Sequence, residues 1–168
     1  MEKTSFKKQL SQLFVAATVG IVLITVLTKD AVTVHWVLPL DLEMHAPPYF
    51  LLVLPVASVI SYLVFTKVSF TSYRVNHRKY AIPQTERNME LISHYKDSML
   101  LALTGLTLYI TIGFAGLFPF TPIAITFFAL YMGFQSYRFY SQVIRDKDTI
   151  CTFQIEVQKL RLFFNGIK

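Results

Sequence analysis

In 168 residues, hydrophobic side chains make up 54% and charged ones 15%, and 16 Lys and Arg against 10 Asp and Glu leave a net charge of +6. A typical soluble domain carries about 25% charged residues, so this composition excludes a disordered chain and argues against an ordinary soluble domain. The basic excess also raises nucleic-acid binding, and the placement of the charges dismisses that reading.

Three windows contain no Asp, Glu, Lys or Arg: Gln9 to Thr28, Met44 to Thr66 and Ser98 to Tyr137. A helix crosses the hydrocarbon core with about 20 residues, so the first two windows predict one span each. The third holds 40 residues, enough for two. Phe118-Pro119-Phe120-Thr121-Pro122 supplies the turn, because proline lacks a backbone donor and disfavours helix in the residue before it. The expected fold class is therefore all-α integral membrane. It is a four-helix transmembrane bundle with spans at about 10–27, 49–66, 98–117 and 122–140, followed by a tail at 141–168. Lys3, Lys7 and Lys8 before Leu13–Leu27 resemble the start of a signal peptide. No Ala-x-Ala site follows and further spans come later, so a retained anchor is expected.

Charge placement orients the bundle. The N-terminus carries Lys3, Lys7 and Lys8. The 67–97 loop carries Lys67, Arg74, Arg78, Lys79, Arg87 and Lys96, and the remaining cations but one lie in the C-terminal region. With both termini and this loop together, 15 of the 16 cations share a side, which the positive-inside rule makes cytoplasmic. Fifteen cations against seven acids leave that side at +8. Asp30, Asp41 and Glu43 against Lys29 leave the outer side at −2. The expected location is the cell (inner) membrane, multi-pass, both termini cytoplasmic. The expected partners are the lipid bilayer and a membrane-active peptide or membrane protein, with no nucleic acid.

Small residues at helical spacing mark close helix approach in lipid. Ala16 and Gly20, Ala57 and Ser61, and Gly105 and Gly113 are such pairs, within the bundle or in a homo-oligomer. Trp36, Tyr49, Phe118, Phe120, Tyr137 and Tyr140 fall near the expected interfaces, as aromatic belts do. Pro55 inside the second span predicts a kink. In the middle loop, Val68–Val75 is rich in β-branched and aromatic residues and reads as extended. An apolar stripe at Met89, Ile92, Tyr95 and Met99 starts the third helix near Thr85. The tail alternates over Ile150–Val157, a strand pattern for which Val68–Val75 is a candidate partner in a small β-hairpin; an interfacial helix is the competing reading.

The 28–48 loop holds His35, Trp36, Asp41, Glu43 and His45. Two imidazoles and two carboxylates are weak candidates for a metal site. A solvated loop anchored by Trp36 is the favoured reading, with His35, Trp36, Asp41 and Glu43 as partner-contact candidates. No cofactor is expected. Hydrolase, metalloprotease and phosphate-binding motifs are absent. Cys151 is expected to be an inert cytoplasmic packing residue. The middle of each expected span lacks the ionisable groups that coupled transporters use. The chain is therefore expected to be no enzyme.

Val34-His35-Trp36, then Leu51, Leu52 and Pro55, and the polar stretch Thr85–Glu90 carry a resemblance. Over about residues 10–117 the chain resembles a bacterial membrane domain of unknown function found in immunity proteins against the sporulation-delaying toxin. That domain has Pro-Val-His-Trp/Phe-Asn-x-x-Gly-x-x-Asp after the first span and a Leu-Leu-x-x-Pro start to the second. Here Thr33 replaces the Pro, Val37 the Asn, Leu40 the Gly and Glu43 the Asp, and Pro48 falls where a Lys is usual. The resemblance implies a small inner-membrane protein acting in toxin immunity or in signalling with a regulator, and no catalytic residues. The leading expectation is a non-enzymatic, peptide- or partner-binding membrane protein of immunity or sensory type. An accessory subunit of a transport or secretion complex is the alternative, and a metal-dependent membrane enzyme comes third.

Overall fold

A computed structural model describes residues 5–36, 42–75 and 78–144, with the backbone alone for 33–36, 42–44, 73–75, 78–80, 122 and 144. The described chain is mostly helical. α1 is Phe6–Thr28, α2 Val53–Lys67, α3 Glu86–Phe114 and α4 Pro122–Ile144, and a 3-10 turn at Pro48–Leu52 leads into α2. Among the described residues three helical segments are long and apolar enough to cross a membrane: Phe6–Thr28, Pro48–Lys67 and Glu86–Phe114. α4 is as long as α1. Its second half, however, carries Gln135, Ser136, Arg138 and Ser141, which dilute its apolar character.

The chain divides into two units. The first comprises residues 1–67 and 96–133, the second 68–95 and 134–168, so α3 and α4 each contribute to both.

In the first unit the helices alternate in direction. Gln12 Nε2 donates to the Tyr62 hydroxyl (2.7 Å) near one end, and Val22 and Val26 pack with Leu51 and Leu54 near the other, which sets α2 antiparallel to α1. Lys7 Nζ donates to Ser98 Oγ (2.8 Å), and Lys29 Nζ donates to the Ala115 carbonyl. These two bonds, at opposite ends of α1, make α3 run parallel to it. The Tyr109 hydroxyl meets Thr121 across the turn into α4, which returns antiparallel to α3.

The interior of this unit is lined by small hydroxyl residues. Ser11, Thr18, Thr25, Ser58, Ser98, Thr104 and Thr111 are all buried. The hydroxyls of Ser11, Thr18, Thr25, Thr104 and Thr111 each donate at 2.8 Å to the carbonyl four residues earlier on their own helix. Meanwhile Leu13, Ile24, Leu27, Val53 and Ile60 stand more than half exposed. Soluble proteins place large aliphatics inside. Here the apolar surface faces outward and small residues let the backbones approach, as expected where lipid is the solvent.

The two α3 glycines do mark close approach. A Cβ on Gly105 would meet the Phe128 and Phe14 rings at 3.3 and 3.4 Å, and one on Gly113 would meet Phe120 at 2.7 Å. Within the described chain the pairs expected on α1 and α2 do not. Nothing lies within 4 Å of a Cβ on Gly20, and Ala16 and Ala57 are exposed while Ser58 is the buried α2 position. Pro55 falls in the first turn of α2, where its missing N–H costs no helical bond. Phe120 packs against Tyr109 and Phe114 (centroids 5.7 and 5.5 Å).

α3 begins where expected. The Thr85 hydroxyl accepts the Asn88 N–H (3.3 Å), and Glu86 adds a negative charge to the first turn. Its end is a Schellman motif: the Leu117 N–H donates to the Ile112 carbonyl and the Gly116 N–H to the Gly113 carbonyl, with Gly116 at φ +69°. The Lys29 ammonium sits on the adjacent Ala115 carbonyl, at the negative end of the helix dipole. Gly116→Ala should cost about 1–2 kcal/mol, the penalty of a left-handed residue with a Cβ. Thermal unfolding in detergent checks this, and an unchanged midpoint would contradict the role given to Gly116.

In the second unit, β3 (Ser72–Val75) pairs antiparallel with β4 (Arg78–Ala81), and the Ile82 N–H donates to the Thr71 carbonyl. The extended segment in the middle loop thus has a local partner. The tail strand at Ile150–Val157, the rest of 145–168 and Cys151 lie outside the described residues. Tyr95 stacks on Phe139 (4.5 Å), takes the edge of Phe70 (5.9 Å) and lies 3.3 Å, hydroxyl to Oγ, from Ser136.

Candidate functional site

The 28–48 segment is not a plain loop. β1 (Val32–Trp36) and β2 (Leu42–Ala46) form an antiparallel hairpin in which Val32 pairs with Ala46, Thr33 with His45, Val34 with Met44, His35 with Glu43 and Trp36 with Leu42. Val32-Thr33-Val34 is a β-branched run, which favours a strand. Alternate positions share a face, so 32, 34, 36, 42, 44 and 46 form one class and 33, 35, 43 and 45 the other.

Packing tells the two classes apart. Val32 is buried with Val22 of α1 and Leu51 of the 3-10 turn, and Ala46, Val26, Leu54 and Phe114 pack around them. The hairpin is therefore anchored through the class that contains Val32 and Ala46. The other class holds His35, Glu43 and His45, of which His45 is exposed. Among the predicted partner-contact residues the register puts His35 opposite Glu43. Trp36 falls in the anchored class, and Asp41 lies outside the described residues. Opposed Cα atoms in such a ladder are about 4.5–5.5 Å apart, close enough for one partner group to span His35 and Glu43. Among the described residues no group of three or more His, Cys, Asp or Glu is arranged to hold a metal ion.

The first unit also contains an apolar cavity of about 710 Å³, open along one side. α1 contributes Leu10 and Phe14. α3 contributes positions from Leu101 to Ile112, including Ala102, Gly105 and Leu108. α4 contributes Phe127, Phe128 and Tyr131. Gly105 makes the floor, since a side chain there would press on the Phe14 and Phe128 rings. Among the lining residues only Tyr131 and Tyr109 carry a polar side-chain group, and the Tyr109 hydroxyl is tied down. It accepts the Thr121 N–H (2.8 Å) and lies 3.0 Å from the Thr121 carbonyl, so its bonds are made within the protein. The linear pattern does not reveal this cavity, because it depends on how three helices are rotated toward one another; the nearest signal is a glycine between Leu101 and Leu108.

No protein-family profile, curated protein or solved structure matches the chain.

Proposed function

We propose that the chain is a four-span protein of a bacterial cell membrane, with both termini and the 67–97 loop cytoplasmic. On this reading it acts without catalysis, by binding a membrane-active peptide or a membrane protein at its outer hairpin, as an immunity or sensory protein does. The orientation draws support from the alternating helices of the first unit, which bring Lys7, Lys67 and Lys96 to one end, and from the charge asymmetry. The observation that carries the binding reading is the division of the hairpin into an anchored class of positions and a second class bearing His35, Glu43 and His45. Anchoring on the helix ends holds those three in a fixed array, which lowers the ordering cost of binding. The hairpin has two strands among the described residues, and an extended peptide would bind by adding a third.

Expression in a peptide-sensitive host tests the reading. The wild-type chain should raise survival above the empty vector. A variant carrying His35→Ala, Glu43→Ala and His45→Ala should lose that protection at equal membrane abundance. Survival equal to the vector, or full protection by the triple variant, refutes the proposal. Orientation is read separately. In a Cys151→Ser background, a cysteine placed at His45 should react with an impermeant maleimide in intact cells, and one placed at Lys67 should react only after permeabilisation.

A further inference from the structure

The apolar cavity lies wholly within the first unit, between α1, α3 and α4, and α1 and α3 are two of the membrane-length helices. Its open edge is marked by Phe127 and Tyr131, which are 68% and 38% exposed. On the membrane reading, what meets that edge is lipid. The lining on α3 runs from Leu101 to Ile112, about 16 Å at 1.5 Å per residue. Half of a hydrocarbon core about 30 Å thick is about 15 Å, so the groove has the depth of one leaflet.

Its end is basic. Lys7 lies three residues before Leu10 on α1, and its ammonium is held by Ser98, three residues before Leu101 on α3. One helical turn thus separates a fixed cation from the apolar lining on both helices. An ammonium has three donors, and Ser98 takes one of them. The arrangement is an apolar slot one leaflet deep, topped by a tethered ammonium at the end of the protein that the charge asymmetry assigns to the cytoplasm.

We infer that this groove holds one acyl chain of an anionic phospholipid of the cytoplasmic leaflet, with the head-group phosphate on Lys7. The inference rests on the membrane reading above. Charge complementarity selects this occupant over a helix of a second copy or an apolar peptide: the cytoplasmic leaflet is rich in anionic head groups, and an apolar helix would leave the Lys7 ammonium without an anion. The lining supports it too: it is otherwise hydrocarbon and aromatic, the Tyr109 hydroxyl is already bonded to Thr121, and the other hydroxyl, that of Tyr131, stands at the open edge.

The test uses the full chain in nanodiscs of phosphatidylglycerol or of phosphatidylcholine, each doped with the same lipid carrying a diazirine in its acyl chain. Cross-linked residues are mapped by mass spectrometry. In phosphatidylglycerol, labelling along Phe14, the 101–112 stretch and Phe128 should exceed, several-fold, labelling of the exposed α2 face at Val56, Ile60 and Leu63. Gly105→Leu should abolish the excess while leaving α2 labelling intact. Where that variant fails to fold by circular dichroism, Leu108→Phe serves as the filling substitution. Lys7→Gln should reduce groove labelling in phosphatidylglycerol to its level in phosphatidylcholine.

Equal labelling of groove and α2 face overturns the inference, as does an excess indifferent to head-group charge. Labelled α2 with a protected groove, in nanodiscs whose mass shows two copies of the chain, overturns it in favour of an interface between copies. If neither groove nor α2 is labelled, the membrane reading itself fails, and this outcome is distinct from labelled α2 with an unlabelled groove.

Discussion

Leu51→Ala should lower the stability of the folded protein by about 2–5 kcal/mol, the range for emptying a fully buried leucine site. Leu51 has no exposed surface and sits with Val22 and Val32 in the core cluster, surrounded by Val26, Ala46, Leu54 and Phe114. Those residues come from α1, both hairpin strands, the start of α2 and the end of α3. The cluster that Leu51 completes therefore joins five elements, and the cavity left by its removal cannot be closed by shifting any one of them. The hairpin should suffer most, since Val32 and Ala46 are the contacts that tie it to the helices. Titration with dodecyl sulfate in mixed micelles, followed by far-ultraviolet circular dichroism, measures the change. A loss under about 1 kcal/mol would mean that the site collapses freely, and the anchoring argument for the hairpin would fall with it. If binding depends on that anchoring, Leu51→Ala should also reduce protection of a peptide-sensitive host, although Leu51 lies outside the class of positions that bears the ionisable residues.

Gly113→Val should cost about 1–3 kcal/mol, as overpacking typically does, plus the lower helix propensity of a β-branched residue. A Cβ at this position would lie 2.7 Å from Phe120 Cδ2 and 3.2 Å from Phe120 Cβ. The ring cannot simply swing away. It is stacked at 26° on Tyr109 and tilted against Phe114, and the Tyr109 hydroxyl holds Thr121 next to it. Relief must come from the backbone of the turn between α3 and α4. The same micelle titration reads the loss, and Gly20→Val is the control, because a Cβ there meets nothing within 4 Å. Equal effects at the two glycines would sink the packing explanation and leave propensity alone.

The four helices were legible because their uncharged windows are long. Expected spans of about 10–27 and 49–66 became Phe6–Thr28 and Pro48–Lys67, the helical run that begins with the 3-10 turn. The differences have one cause. Charges bound the part of a helix that can lie in hydrocarbon, whereas the backbone continues through Lys7, Lys8 and Lys67. The start of α3 was legible from the apolar stripe at Met89, Ile92, Tyr95 and Met99, which placed it near Thr85. The hairpin at 32–46 was not. Its strands alternate as strands do, but the segment between them, Val37-Leu38-Pro39-Leu40-Asp41, lacks the Asn-Gly or Asp-Gly signal that announces a tight turn. The tail strand at Ile150–Val157, a candidate partner for Val68–Val75, lies outside the described residues, and the described ladder closes locally on Arg78–Ala81. The groove and the bond from Lys29 to the end of α3 are products of helix orientation, which no linear period encodes. Of the candidate residues in the hairpin, the composition named His35, Glu43 and His45, and only the register put them in one class.

The bond between Lys29 and Ala115 has a consequence in time. Its partners are 86 residues apart in the chain. At a synthesis rate of about 5–20 residues per second, the carbonyl emerges about 4–17 seconds after the lysine. The cluster of Val22, Val32 and Leu51 needs nothing beyond residue 54 apart from Phe114, so α1, the hairpin and the start of α2 can associate during that interval. The nascent protein would then be a two-helix platform waiting for α3, with Lys7 and Lys29 both still without their α3 acceptors. Arrival of α3 satisfies one lysine at each end of α1, which makes its docking a late, two-point closure of an assembly already half built.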